Sequence, residues 1–128
     1  MSATPRPMWK LAVAGAVLLA GGAACGSGGG GLPAVSGPAA ARLELNATEM
    51  RYTPSRIAVA GGDVPVVLHN TGVVVHDLRI EGIPALGVEA LPGRTATASW
   101  RLTRGRYRIY CSIPGHRQAG MEGILEVR

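Results

Sequence analysis

Residues 110–123 read YCSIPGHRQAGMEG, and Cys111, His116 and Met121 follow one another there with four residues between each pair. The whole chain has two cysteines, three histidines and four methionines, so one of each within eleven positions is a concentration that asks for a reason. The flanks of this stretch alternate. Tyr107, Ile109 and Cys111 oppose Arg106, Arg108 and Tyr110 before it, and Met121, Gly123, Leu125 and Val127 oppose Glu122, Ile124, Glu126 and Arg128 after it. A period of two marks a half-buried strand. The stretch is therefore a loop between two strands, with Cys111 and Met121 on their inward sides and His116 in the loop.

The same alternation recurs upstream. Leu43, Leu45 and Ala47 share one side of a run that starts near Arg42, as do Val64, Val66 and Leu68 in DVPVVLHN and His76, Leu78 and Ile80 in HDLRI. Ala96, Ala98, Trp100 and Leu102 form a further inward set. Turn chemistry separates these runs at TPS, AGGD, NTG, EGIP, LPGR and TRG. About seven strands at this spacing predict an all-β domain, an antiparallel sandwich with its sheets face to face. His76 falls on an inward position by the same parity. His69 falls on an outward one and is expected at the surface, and Met50 is expected in the core.

Composition agrees. The 128 residues contain no phenylalanine and only 4% aromatics, so one small core must be built from Val, Leu, Ile and Ala with Trp100 and a few tyrosines. Nineteen glycines and nine prolines suit short strands joined by loops better than a helical bundle. The formal charge is +5, but without Arg6 and Lys10 eleven arginines face eight carboxylates. Those arginines are interspersed with acidic and apolar residues, which describes a solvated surface and not a nucleic-acid footprint.

Arg6 and Lys10 precede LAVAGAVLLA, and the small residues GGAAC follow it. This is the order of a secretory signal, and the apolar run is too short for a membrane span. The segment resembles a bacterial lipoprotein leader, with Gly22 where that family usually has an aliphatic residue. The resemblance implies residues 1–24 as signal peptide and Cys25 as the lipidated first mature residue. Residues 25–41, rich in glycine, then read as a tether, and 42–128 as the folded domain. The expected location is the extracytoplasmic face of a bacterial cell membrane, or the periplasm. An ordinary cleaved signal, with Cys25 free or bridged to Cys111, is the alternative.

A thiolate, a neutral imidazole and a thioether are soft or borderline metal ligands, and two histidines, one cysteine and a weak methionine make the ligand set of a type 1 copper site. Zinc is the alternative ion for a cysteine and two histidines. At Cys111, His116, Met121, the upstream His76 in VVHDLRI and the closing EGILEV, the chain resembles the cupredoxins, with the four-and-four loop spacing of auracyanin, sulfocyanin and rusticyanin. The likeness covers roughly residues 42–128. It implies a Greek-key sandwich that binds one copper, cycling between Cu(I) and Cu(II), through His76, Cys111, His116 and Met121. It further implies a monomeric carrier of single electrons whose redox partner proteins dock near His116 on an apolar face with Ile113, Pro114, Gly115, Val73 and Val74, and Arg117 on its rim is expected to steer an acidic partner. Many cupredoxins have asparagine after the first histidine, tying the loop to the residue after the cysteine; the resemblance puts Asp77 and Ser112 at those positions, where an aspartate can accept from the serine hydroxyl but offers no amide donor. Only His69 is left once the proposed ligands are counted, too few histidines for a second, oxygen-reducing copper cluster, and no nucleophile elbow is present. Two functions remain, electron transfer without catalysis and copper storage or delivery. The latter lacks the exposed methionine- or histidine-rich cluster it favours.

Overall fold

A computed structural model describes residues 31–128. The residues read as leader, and Cys25, lie outside the described residues. Nine strands follow in order: β1 (Leu43–Thr48), β2 (Arg51–Thr53), β3 (Arg56–Val59), β4 (Gly62–Asn70), β5 (His76–Ile80), β6 (Gly87–Ala90), β7 (Thr95–Leu102), β8 (Gly105–Tyr110) and β9 (Glu122–Val127). They form a four-stranded sheet in the order β2-β1-β4-β7 and a five-stranded sheet in the order β3-β9-β8-β5-β6. No helix among the described residues is long and apolar enough to cross a membrane.

The core lies between the sheets and is formed by the residues that the alternation assigns to it. Leu43, Leu45, Val64, Val66 and Leu68 of one sheet meet Leu78, Ile80, Ile109 and Leu125 of the other, all essentially without exposure. Burying each such side chain contributes roughly 1.5–3 kcal/mol.

Several expectations need correction. The sheets are mixed and not antiparallel, because β1 pairs parallel with β4 and β3 parallel with β9. Alternation shows which face of a strand is buried but carries no information about the direction of its neighbour. Among the described residues there are nine strands in place of about seven. The run around YTPSRIAV breaks at Pro54 and Ser55 into β2 and β3, which join different sheets, and β6 is too short to announce itself.

Met50 is 36% exposed and has φ of +62°, because it occupies the two-residue turn that closes the β1–β2 hairpin at Thr48 and Arg51. Ile124, expected outward, is buried in a small second cluster with Val35 and Ala58, against which Leu32 packs. The described part of the stretch read as tether thus lies on the outer face of the five-stranded sheet. Val35 N–H donates to Glu126 at 2.8 Å, Arg128 donates to the carbonyl of Gly37 at 2.5 Å, and Ala40 bridges to Val59.

Candidate metal centre

Three strand ends meet at one pole of the sandwich. His76 opens β5, Cys111 follows β8, and Met121 precedes β9. The loop from 111 to 121 is tied by its own backbone. Cys111 N–H donates to Met121 C=O at 3.1 Å and Met121 N–H to His116 C=O at 3.0 Å. Inside that ring, His116 N–H donates to Ile113 C=O at 3.0 Å and Gly120 N–H to Arg117 C=O at 2.9 Å. Gly115 and Gly120, with φ of +84° and +105°, make the two reversals that fold the loop this tightly.

The loop and β5 bring His76, Cys111 and His116 together, with one ligand atom from each lying within 4.8 Å of the others. Cys111 Sγ is 3.5 Å from His116 Nδ1, and the two imidazole rings stand 5.1 Å apart between centroids. Met121 lies fully buried at the closing end of the loop. Of the four residues only His116 shows any exposure, 7%, while the other three show none.

His76 decides what this cluster is for. Neither of its ring nitrogens has a hydrogen-bond partner, although both are buried. Its nearest carboxylate oxygen, on Glu49, is 3.8 Å from Nε2, too long for a hydrogen bond. Buried polar atoms are almost always satisfied, so such orphans point to an absent partner. Burial, seconded by His116, pushes the His76 imidazole below its ordinary pKa and keeps it neutral. Burial likewise pushes the Cys111 thiol up. Two buried imidazoles beside a buried thiol, one of them with both nitrogens unpartnered, fit a soft or borderline metal ion well.

Asp77 braces the centre. It is 1% exposed, and its Oδ1 accepts Ser112 N–H at 2.6 Å while Oδ2 accepts the Ser112 hydroxyl and, at 3.1 Å, Arg79 Nε. Burial alone would raise the Asp77 carboxyl, but the bonds from Ser112 and Arg79 outweigh it and hold the group below the usual carboxylate range. Buried Tyr52 donates its hydroxyl to the Asp77 carbonyl. Asn70 fixes the turn before His76, donating to the carbonyls of Val74 and Ala90, both at 2.8 Å, and accepting Gly72 N–H at 2.9 Å. Tyr52 and Asn70 escaped the sequence reading, the latter despite the turn signal NTG.

Solved structures of auracyanins share this architecture. The chain aligns with the reduced auracyanin of the photosynthetic bacterium Roseiflexus castenholzii at a TM-score of 0.63 and 20% identity, covering 71% of this chain and 99% of that one. The chain has an auracyanin-like fold. Auracyanin B aligns at 0.59 and 19% identity, covering 77% and 96% of the two chains. Auracyanin A, a blue copper protein of the green thermophilic photosynthetic bacterium Chloroflexus aurantiacus, aligns at 0.57 and 18%, covering 68% and 98%. No protein-family model matches the chain. No curated protein matches it either.

Around the centre, Val73 and Val74 are exposed, at 80% and 38%, and Pro114 and Gly115 are exposed beside them in sequence to the ligands. Ile113 differs from expectation, being half-buried and packed on the core. Arg117 lies over the Tyr110 ring at 4.4 Å and pairs with Glu81 at 2.6 Å and Glu122 at 3.3 Å, so its charge is largely spent within the molecule. His69 bridges Glu44 and Thr95, at 2.8 Å each, on the four-stranded sheet away from the centre.

Proposed function

We propose that the protein is a carrier of single electrons, built around one copper ion held by His76, Cys111, His116 and Met121. The observation that carries this reading is the meeting of three buried donors, one of them a histidine whose nitrogens have no protein partner. Copper bound there would supply one-electron chemistry between Cu(I) and Cu(II). The chain's own contribution is rigidity. The loop ring of hydrogen bonds, the Asp77–Ser112 clamp and the Asn70 turn fix the donors in advance, which keeps the reorganisation on electron exchange small. A centre as deeply buried as this one suits a carrier better than an enzyme. A surface depression of about 450 Å³, lined by Glu44, His69, Arg94 and Thr95 among others, includes none of the four ligands.

The blue copper nature of auracyanin A supports the choice of copper over zinc. His116, alone of the four in showing exposure, marks the exit for the electron, and Val73 and Val74 offer a small apolar face there for a transient redox partner. The protein works as a monomer outside the bacterial cell membrane, held there by a lipid on Cys25. Mass spectrometry of the native N-terminus tests the anchor, and an unmodified N-terminus elsewhere than at Cys25 refutes it.

The decisive test of the centre is the visible and electron-spin-resonance spectrum of the copper-loaded protein. An intense thiolate-to-copper band is expected, and Cys111→Ser removes it. A parent without the band, or a Cys111→Ser variant that keeps it, overturns the assignment. Copper passing from this protein to apo-enzymes, with no exchange of electrons, would replace the carrier by a copper-delivery protein.

A further inference from the structure

Glu49 sits in the β1–β2 turn, far in sequence from the metal loop, yet its side chain folds over the turn that leads into His76. Its Oε1 accepts Val73 N–H at 2.6 Å and lies 3.8 Å from His76 Nε2. Gly72 makes room for it. A Cβ on Gly72 would stand 2.3 Å from Glu49 Oε1 and 2.9 Å from Cδ, so any side chain larger than hydrogen would displace the carboxylate. Gly72 does not have the positive φ that would itself demand glycine, so the missing side chain serves space here.

The two His76 nitrogens have different surroundings. Nε2 is turned toward Glu49, which leaves Nδ1 as the donor for the centre. Once Nδ1 is engaged, Nε2 carries the proton, and a buried N–H needs an acceptor. Glu49 is the carboxylate paired with that nitrogen in the structure, about 1 Å short of hydrogen-bond distance.

We infer that Glu49 is the positioning residue of the His76 ligand: its carboxylate takes the Nε2 proton in a hydrogen bond, fixes the ring with Nδ1 facing the copper, and is itself held by Val73 N–H in the space left by Gly72. Glu49 touches no metal. It orients the imidazole and raises its basicity, which favours the more positive copper state. The inference rests on the copper reading above.

The test compares the copper-loaded parent with Glu49→Gln and Gly72→Ala, and uses Glu44→Gln, a carboxylate away from the centre, as control. Glutamine keeps an oxygen for Val73 N–H and loses the charge. Glu49→Gln is expected to lower the affinity for Cu(II) about tenfold, by chelator competition. Its potential should rise by about 59 mV if Cu(I) affinity is unchanged, since tenfold is about 59 mV for one electron. The melting temperature of the apo-protein should fall only slightly, because the Glu49 side chain is half-exposed and glutamine keeps the bond from Val73 N–H. Gly72→Ala, which pushes the carboxylate aside, should move affinity and potential the same way, and Glu44→Gln neither. If both variants keep the parent's potential and Cu(II) affinity and only the apo-protein melts earlier, Glu49 merely braces a turn and the inference fails. A blue parent with unresponsive variants refutes Glu49 alone, whereas a parent that binds no copper in a thiolate site refutes the copper reading and this inference with it.

Discussion

Replacing Asp77 by asparagine tests how the centre's potential is set. The carboxylate is buried one residue from His76 and clamps Ser112, the residue after Cys111, through both its N–H and its hydroxyl. Asparagine is nearly isosteric. Its Oδ1 can still accept Ser112 N–H, and the serine hydroxyl can turn to accept from the new amide, so the link survives while the charge goes. One hydrogen bond and one residue of chain place the charge about 7 Å from the centre. With an effective dielectric of about 20, Coulomb's law gives roughly 2 kcal/mol at that distance. That energy corresponds to about 100 mV for one electron. Arg79 Nε, 3.1 Å from Oδ2 and partly exposed, turns to solvent once the carboxylate is gone, and the loss of its nearby positive charge cancels about half of the shift, leaving about 50 mV. The sign is upward, because a nearby anion favours Cu(II) and its loss favours the less positive Cu(I). Film voltammetry measures the shift, with the visible spectrum confirming that the thiolate remains bound. The apo-protein should lose about 1–2 kcal/mol as charge-assisted bonds become neutral ones. A variant with unchanged colour whose potential stays put or falls would refute the electrostatic reasoning.

Met121→Gln should keep the copper and lower the potential, since a harder oxygen donor favours Cu(II), and voltammetry reads it directly. The N-terminal segment should loosen in acid. Val35 N–H, then Arg128 and Arg106, hold the Glu126 carboxyl down to about 2 from 4.5. A depressed carboxyl contributes its stabilisation above about pH 4.5 and loses it as pH falls toward 2. Hydrogen exchange at residues 32–40, corrected for its intrinsic rate, should therefore rise across that window, and Glu126→Gln should abolish the pH dependence. Val73→Asp, at an 80% exposed site, should leave colour and copper intact and slow electron exchange with a partner several-fold; equal rates would place the docking face elsewhere.

The inward faces were legible because sheets pack one side of each strand, and a period of two survives whatever the neighbour. His76 and Cys111 were placed toward the interior by that rule alone. Strand direction was not legible, because β1 meets β4 in parallel across a crossover that no local pattern records. Ile124 stood on the outward parity, and only the return of residues 32–40 over the sheet explains its burial. Met50 looked apolar enough for the core, but a two-residue hairpin turn has no interior to offer it. Glu49 was out of reach for a related reason. A carboxylate in a turn is ordinary until folding lays that turn against His76 and Gly72.

What makes the centre possible is the way the five-stranded sheet opens. β5 and β8 are paired at Ile80 with Ile109 and at Arg79 with Tyr110. Continued, the register would set Leu78 opposite Cys111 and Asp77 opposite Ser112. The strands part there, and the Asp77 carboxylate takes the Ser112 N–H that the ladder would have used. A side chain's length is thus inserted between two backbones, and the wedge that results is where His76 and Cys111 can face each other with space for an ion between them. This gives Asp77 two separable duties. Its length sets the opening, which asparagine preserves, and with copper bound as proposed its charge would bias the balance between copper states, which asparagine removes.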